Sequence, residues 1–124
     1  MAKEVVSLRA GLEDSAHRGE WVDFWLTLSI RDGWHLNANP ASLGFLKPTQ
    51  VEGAVRAVRY PAGRMLDLSF AESPVSVYSG TLTLEGEIED GETAGLVTYQ
   101  SGDDRRCFPA ITRQVAVSAP AAPQ

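Results

Sequence analysis

Apolar side chains recur at every second position along much of this chain, and no stretch holds the three-to-four spacing of a helix. From Val6, the positions Val6, Leu8, Ala10 and Leu12 fall on one side, as in a strand with one buried face. Glu13 to Gly19 reads as a polar loop. The longest alternation follows, with Val22, Phe24, Leu26, Leu28 and Ile30 interleaved with Asp23, Trp25, Thr27, Ser29 and Arg31. Its apolar set points to one face of a strand. Arg31-Asp32-Gly33 is a turn signal, because glycine reaches the positive φ that such turns use. Trp34-His35-Leu36-Asn37 leads into a loop rich in Asn, Pro and Gly over residues 37–48. Thr49 to Tyr60 reads as one strand anchored by Val51, Val55 and Val58, with a slip of parity near Gly53 that marks a bulge or an edge.

Leu66 to Phe70 is a short extended segment, and Val75 to Tyr78 resumes strand character. Strict alternation returns after Gly80, with Leu82, Leu84 and Ile88 facing in and Thr81, Thr83, Glu85, Glu87 and Glu89 facing out. Asp90-Gly91 predicts a hairpin turn that sends Gly95 to Gln100 back along this strand. Ile111 to Val117 is the last strand, and residues 119–124 read as a flexible tail. Short strands with turn chemistry between them predict an all-β fold, an antiparallel β-sandwich with immunoglobulin-like packing, over a single domain of residues 1–118.

Composition narrows the function classes. With 124 residues and 44% hydrophobic positions, the chain can bury a core without metal or disulfide staples. Eleven basic against sixteen acidic residues give a net charge of -5, which argues against nucleic acid and anionic membrane as partners. No apolar run approaches the roughly 18 residues of a membrane span, and the N-terminus lacks the apolar centre of a signal peptide. A domain cut from a longer exported protein would look the same. Two histidines and one cysteine at unrelated spacings do not make a zinc site, so neither metal nor cofactor is expected.

The candidate chemistry lies in Val97 to Arg113, VTYQSGDDRRCFPAITR, around the single cysteine, Cys107. A free cysteine is often just a small buried hydrophobe. Here the turn is polar: Arg105 and Arg106 favour a thiolate, while Asp103 and Asp104 oppose it, which leaves the sign of any shift open. His35 reads as structural, packed beside a turn and satisfied by backbone. The paired carboxylates Asp103-Asp104 and Glu89-Asp90 sit in turns, where solvation explains them and a glycosidase reading has little support.

The order Tyr99-Gln100-Ser101-Gly102-Asp103-Asp104-Arg105-Arg106-Cys107-Phe108-Pro109 resembles the active-site hairpin of the N-terminal periplasmic domain of the thiol:disulfide interchange protein DsbD and its relatives. Asp32-Gly33-Trp34-His35, Pro48, Tyr60-Pro61, and Val77-Tyr78 with Gly80 before Leu82 fall in the family's order, so the resemblance spans about residues 20–117. It implies an immunoglobulin-like sandwich in an exported, periplasmic redox protein. In that family a hairpin cysteine pair passes electrons from a thioredoxin-like domain to periplasmic acceptors. It also implies a cap loop with an aromatic side chain over the cysteines, for which Phe70 in Leu68-Ser69-Phe70-Ala71-Glu72 is the candidate. One departure is chemical: Gly102 stands where the family has its first cysteine, and only the second remains, as Cys107. Dithiol exchange needs a second thiol to resolve a mixed disulfide. The resemblance therefore implies reduced or lost dithiol chemistry, and at most monothiol exchange or docking of a thioredoxin-like partner.

The alternative reading is a non-catalytic β-sandwich module that binds a protein or glycan. Trp21, Trp25 and Trp34 would supply its aromatic surface, Trp25 lying on the outward parity of its strand.

Overall fold

The computed structural model describes residues 5–18, 20–69 and 71–118, so Phe70 and the tail expected at 119–124 lie outside it. Among the described residues there is no helix. The strands in chain order are β1 (Val6–Arg18), β2 (Trp21–Ile30), β3 (His35–Asn37), β4 (Gln50–Glu52), β5 (Val55–Arg59), β6 (Arg64–Leu66), β7 (Val75–Tyr78), β8 (Thr81–Glu89), β9 (Ala94–Tyr99), β10 (Ser101–Gly102) and β11 (Ile111–Ser118). They form a seven-stranded sheet, ordered β4-β9-β11-β1-β2-β8-β5, and a four-stranded sheet, ordered β10-β3-β7-β6. The architecture is an immunoglobulin-like β-sandwich.

The alternating strands behave as their pattern requires. In β2 every second residue from Val22 to Ile30 is buried and those between are half-buried. In β8, Leu84, Gly86 and Ile88 are buried, with exposed Glu85 and half-buried Glu87 between them. Phe24, Leu26, Leu28, Leu36, Leu84, Val97 and Tyr99 are the centre of the core. Outward residues pair across strands, as in the hydrogen bond of 2.8 Å between the hydroxyls of Thr27 and Thr83 and the contact of 2.9 Å between Arg56 and Glu87.

Three expectations are corrected. Glu13 to Arg18 is strand rather than loop, paired with β2 past a register shift between Leu12 and His17. A ladder is made by backbone groups, so polar side chains do not prevent it. Thr49 to Tyr60 is two strands, not one. Gly53, at φ 113°, separates β4 from β5, which occupy opposite edges of the larger sheet. Two linking residues reach only about 10 Å, so the sheet must roll until its edges approach. Asp90-Gly91 does turn the chain, with Gly91 at φ 95°, but not as a hairpin. β8 pairs with β2 and β5, and β9 with β11 and β4. The last strand also departs from a purely antiparallel scheme, since β11 runs parallel to β1.

A polar network fastens the long loop after β3 beneath the segment that carries the cysteine. Asn37 Nδ2 donates to Gln100 Oε1 at 2.9 Å and to the Lys47 carbonyl at 3.1 Å. Thr49 Oγ1 donates to the Asn37 carbonyl at 2.7 Å. Buried polar groups paired in this way specify one loop path, because any other path would leave them unsatisfied.

Candidate functional site

The site is the hairpin from Ser101 to Phe108. Its first arm, β10, lies antiparallel to β3, with Ser101 opposite Leu36 and Gly102 opposite His35. Its second arm returns so that Cys107 faces Gly102 from the other side. The Phe108 amide donates to the Ser101 carbonyl at 2.9 Å, and the Asp103 amide to the Arg106 carbonyl at 3.0 Å. Between these, the Asp103 carboxylate accepts from the amides of Arg105 at 2.9 Å and Arg106 at 2.8 Å. This is the local bonding that makes aspartate a turn residue. Those amides hold its carboxyl below its ordinary value.

Cys107 is exposed, with Sγ 3.9 Å from the Phe108 carbonyl. The question of sign left open by the sequence has an answer: partial burial of the thiol pushes its pKa up. Of the two arginines expected to lower it, Arg106 is engaged elsewhere, with its guanidinium 5.2 Å from the centre of the Phe108 ring. Phe108 in turn rests on Trp34, ring centres 5.3 Å apart. Stacked charge and aromatic faces of this kind attract one another.

Gly102 is tightly enclosed. A β-carbon there would lie 2.6 Å from the Arg106 carbonyl oxygen, 3.2 Å from His35 Nε2 and 3.4 Å from the Cys107 Cα. The hairpin is closed around a glycine, and a side chain at 102 would have to move backbone.

The other candidate residues divide by position. Tyr99 is fully buried beneath the base of the hairpin, its hydroxyl accepting from Arg113 at 3.3 Å. Asp104 and Pro109 are exposed and Phe108 is half-buried. Phe70, the cap candidate, lies outside the described residues. Its neighbour Ser69 does touch the hairpin, donating through its amide at 3.2 Å and its hydroxyl at 2.7 Å to the Asp104 carbonyl.

The pairing of β10 with β3 brings His35, expected as a structural residue, opposite Gly102. His35 is 5% exposed. Its ring makes no hydrogen bond to another described residue, so the expected backbone partner is absent. Burial lowers its pKa, and the carboxylates of Asp103 and Asp104 oppose that shift. No local signal marks this placement, since it comes from pairing with a residue distant in sequence. His35 also lines a cleft of about 410 Å³ beside the hairpin, with Arg31, Trp34, Arg64, Leu68 and Asp104.

Trp21 and Trp25 share the outward face of β2, and each has its own neighbours. Trp21 lies under Arg56, 4.2 Å from the guanidinium carbon to the ring centre. Trp25 lies over Gly11, where a β-carbon would come within 2.7 Å of the indole. Trp34 belongs to the hairpin stack.

No family model and no curated protein matches this sequence. Solved structures do. The reduced N-terminal domain of Neisseria meningitidis DsbD superposes with a TM-score of 0.66 at 13% identity, over 95% of this chain and 88% of that one. The fold is that of the DsbD N-terminal domains. The N-terminal periplasmic domain of ScsB from Proteus mirabilis gives 0.65 at 13% identity, with 91% of this chain spanning 46% of that one. A structure of the complex between the DsbD N-terminal and PilB N-terminal domains of Neisseria meningitidis gives 0.58 at 13% identity, covering 92% of this chain and 83% of that one. At these identities the likeness is one of fold.

Proposed function

We propose that this domain takes part in thiol exchange through Cys107 alone, docking a thioredoxin-like partner and forming a mixed disulfide with it. The observation that carries this reading is an exposed thiol directly across the hairpin from Gly102, on a sandwich with the fold of DsbD N-terminal domains. Structural work on a complex between a DsbD N-terminal domain and the PilB N-terminal domain supports a protein partner. The reading places the domain in an exported, periplasmic redox protein, in keeping with the periplasmic ScsB domain.

The exchange is written with one thiol. Cys107 loses its proton, and its thiolate attacks one sulfur of the partner's disulfide. That S–S bond breaks, a new one joins Cys107 to the partner, and the other partner sulfur leaves as a thiolate. The chain has no second cysteine, so an outside thiol must resolve the adduct. A thiol raised by burial is a slow attacker near neutral pH, and stable capture rather than rapid turnover is what this site favours.

A thioredoxin-like protein lacking its resolving cysteine, activated at the remaining one as an aromatic disulfide, tests the reading. The parent and a Trp25→Ala variant form a reductant-sensitive one-to-one adduct, and Cys107→Ser forms none. Absence of adduct with the parent, or its loss with Trp25→Ala alone, overturns the reading.

A further inference from the structure

His35, Gly102 and Cys107 stand in one row across three strand segments, because Gly102 is paired with His35 on one side and with Cys107 on the other. Residues paired directly across strands send their side chains to the same face. The outer two of such a row are normally kept apart by the side chain between them. Here the middle residue has none, and the point its β-carbon would occupy is 3.2 Å from His35 Nε2 and 3.4 Å from the Cys107 Cα. The glycine leaves no side chain between the His35 ring nitrogen and the Cys107 backbone.

A second observation shows that the imidazole is available. It is 5% exposed and its ring has no hydrogen-bond partner among the described residues. His35 also borders the open cleft beside the hairpin, which leaves its ring able to take a partner there. We propose that His35 is the hydrogen-bond donor that stabilises Cys107 as a thiolate, a positioning residue for exchange that replaces, across Gly102, the support a second cysteine cannot give. When the Cys107 proton passes to solvent base, the sulfur turns from the Phe108 carbonyl toward the imidazole N–H. When Cys107 later leaves from a mixed disulfide, the same N–H receives the developing negative charge.

The charged groups around the ring fit a neutral donor. Asp103 and Asp104 act on it from the hairpin, and Arg31 and Arg64 line the same cleft. Burial keeps the ring uncharged at neutral pH, so it donates as imidazole, and the carboxylates do not neutralise that role.

The inference rests on Cys107 being the exchanging thiol, but its test needs no partner. Iodoacetamide alkylation of native Cys107 is followed against pH in the parent, His35→Phe and His35→Gln. A hydrogen bond to a charged acceptor corresponds to roughly tenfold, or about one pH unit in the midpoint. His35→Phe therefore reacts roughly tenfold more slowly at neutral pH with a higher midpoint, while His35→Gln, which retains an N–H donor, keeps most of the parent rate. Equal rates for folded His35→Phe and parent, or equal losses for Phe and Gln, overturn it. Should His35→Phe not fold, the parent still decides: the His35 ring nitrogen resonances shift as Cys107 titrates and not in Cys107→Ser, and their constancy in the parent contradicts the proposal. Failure to capture a partner with this contrast intact would remove the docking reading alone.

Discussion

At Gly102 a single missing atom determines what the hairpin can be. The Arg106 carbonyl oxygen lies 2.6 Å from where a β-carbon would stand, closer than real contacts allow. Restoring a cysteine there requires the backbone to open, although the pairing with Cys107 brings the two positions face to face. Gly102→Cys, kept reduced, is expected to be less stable than the parent by roughly 1–3 kcal/mol, the usual range for overpacking. Thermal unfolding in reductant checks this, and an unchanged midpoint would show that the turn accommodates the residue freely. His35 makes a separate prediction. Its pKa is lowered in the fold from 6.5, so the unfolded chain binds a proton more readily than the native one. The corresponding stability is present above 6.5 and is lost as pH falls toward the folded value. Between about pH 7.5 and about pH 5, the parent should lose more thermal stability than His35→Gln, and equal losses would contradict the assignment.

Within the hairpin the turn itself is braced by the Asp103 side chain. Asp103 accepts from the amides of Arg105 and Arg106, and without it those donors face solvent. Asp103→Ala should speed hydrogen exchange at these two amides and raise the mobility of Cys107, leaving exchange in β2 and β8 unchanged. Acid should do the same, because a carboxyl lowered from 3.8 gives its support above that value and loses it as pH falls through the folded one. Elements were legible in the sequence where one face is buried. The alternation in β2 maps residue for residue onto its burial. Legibility ended where pairing is made by backbone or decided at a distance. The polar end of β1 is strand because β2 offers it a ladder. Asp90-Gly91 has hairpin chemistry but spans the two halves of the sheet, since a turn's local preference does not choose the partner of the strand that follows. The Cys107 turn was visible from its residues, whereas the placement of His35 opposite Gly102 follows only from the pairing of β3 with β10.

The whole molecule presents the thiol from a rigid base. Two sheets share a core centred on residues such as Leu28, Leu84, Val97 and Tyr99, each of which has no exposed surface. The hairpin springs from that core at Tyr99, while Ser69 ties its tip to the loop after β6. An exposed thiol on such a base favours recognition over intrinsic reactivity, because burial raises its pKa while the surrounding surface is fixed. Folded context should therefore speed exchange with a thioredoxin-like protein. The direct measurement is the second-order rate of mixed-disulfide formation at Cys107 with the partner lacking its resolving cysteine, compared with a peptide of residues 99–111, both corrected for iodoacetamide reactivity. The folded domain should react at least roughly tenfold faster than the peptide, as expected when docking supplies proximity. A folded domain no faster than its own peptide would show that the sandwich adds nothing to the thiol, and the docking role would be wrong.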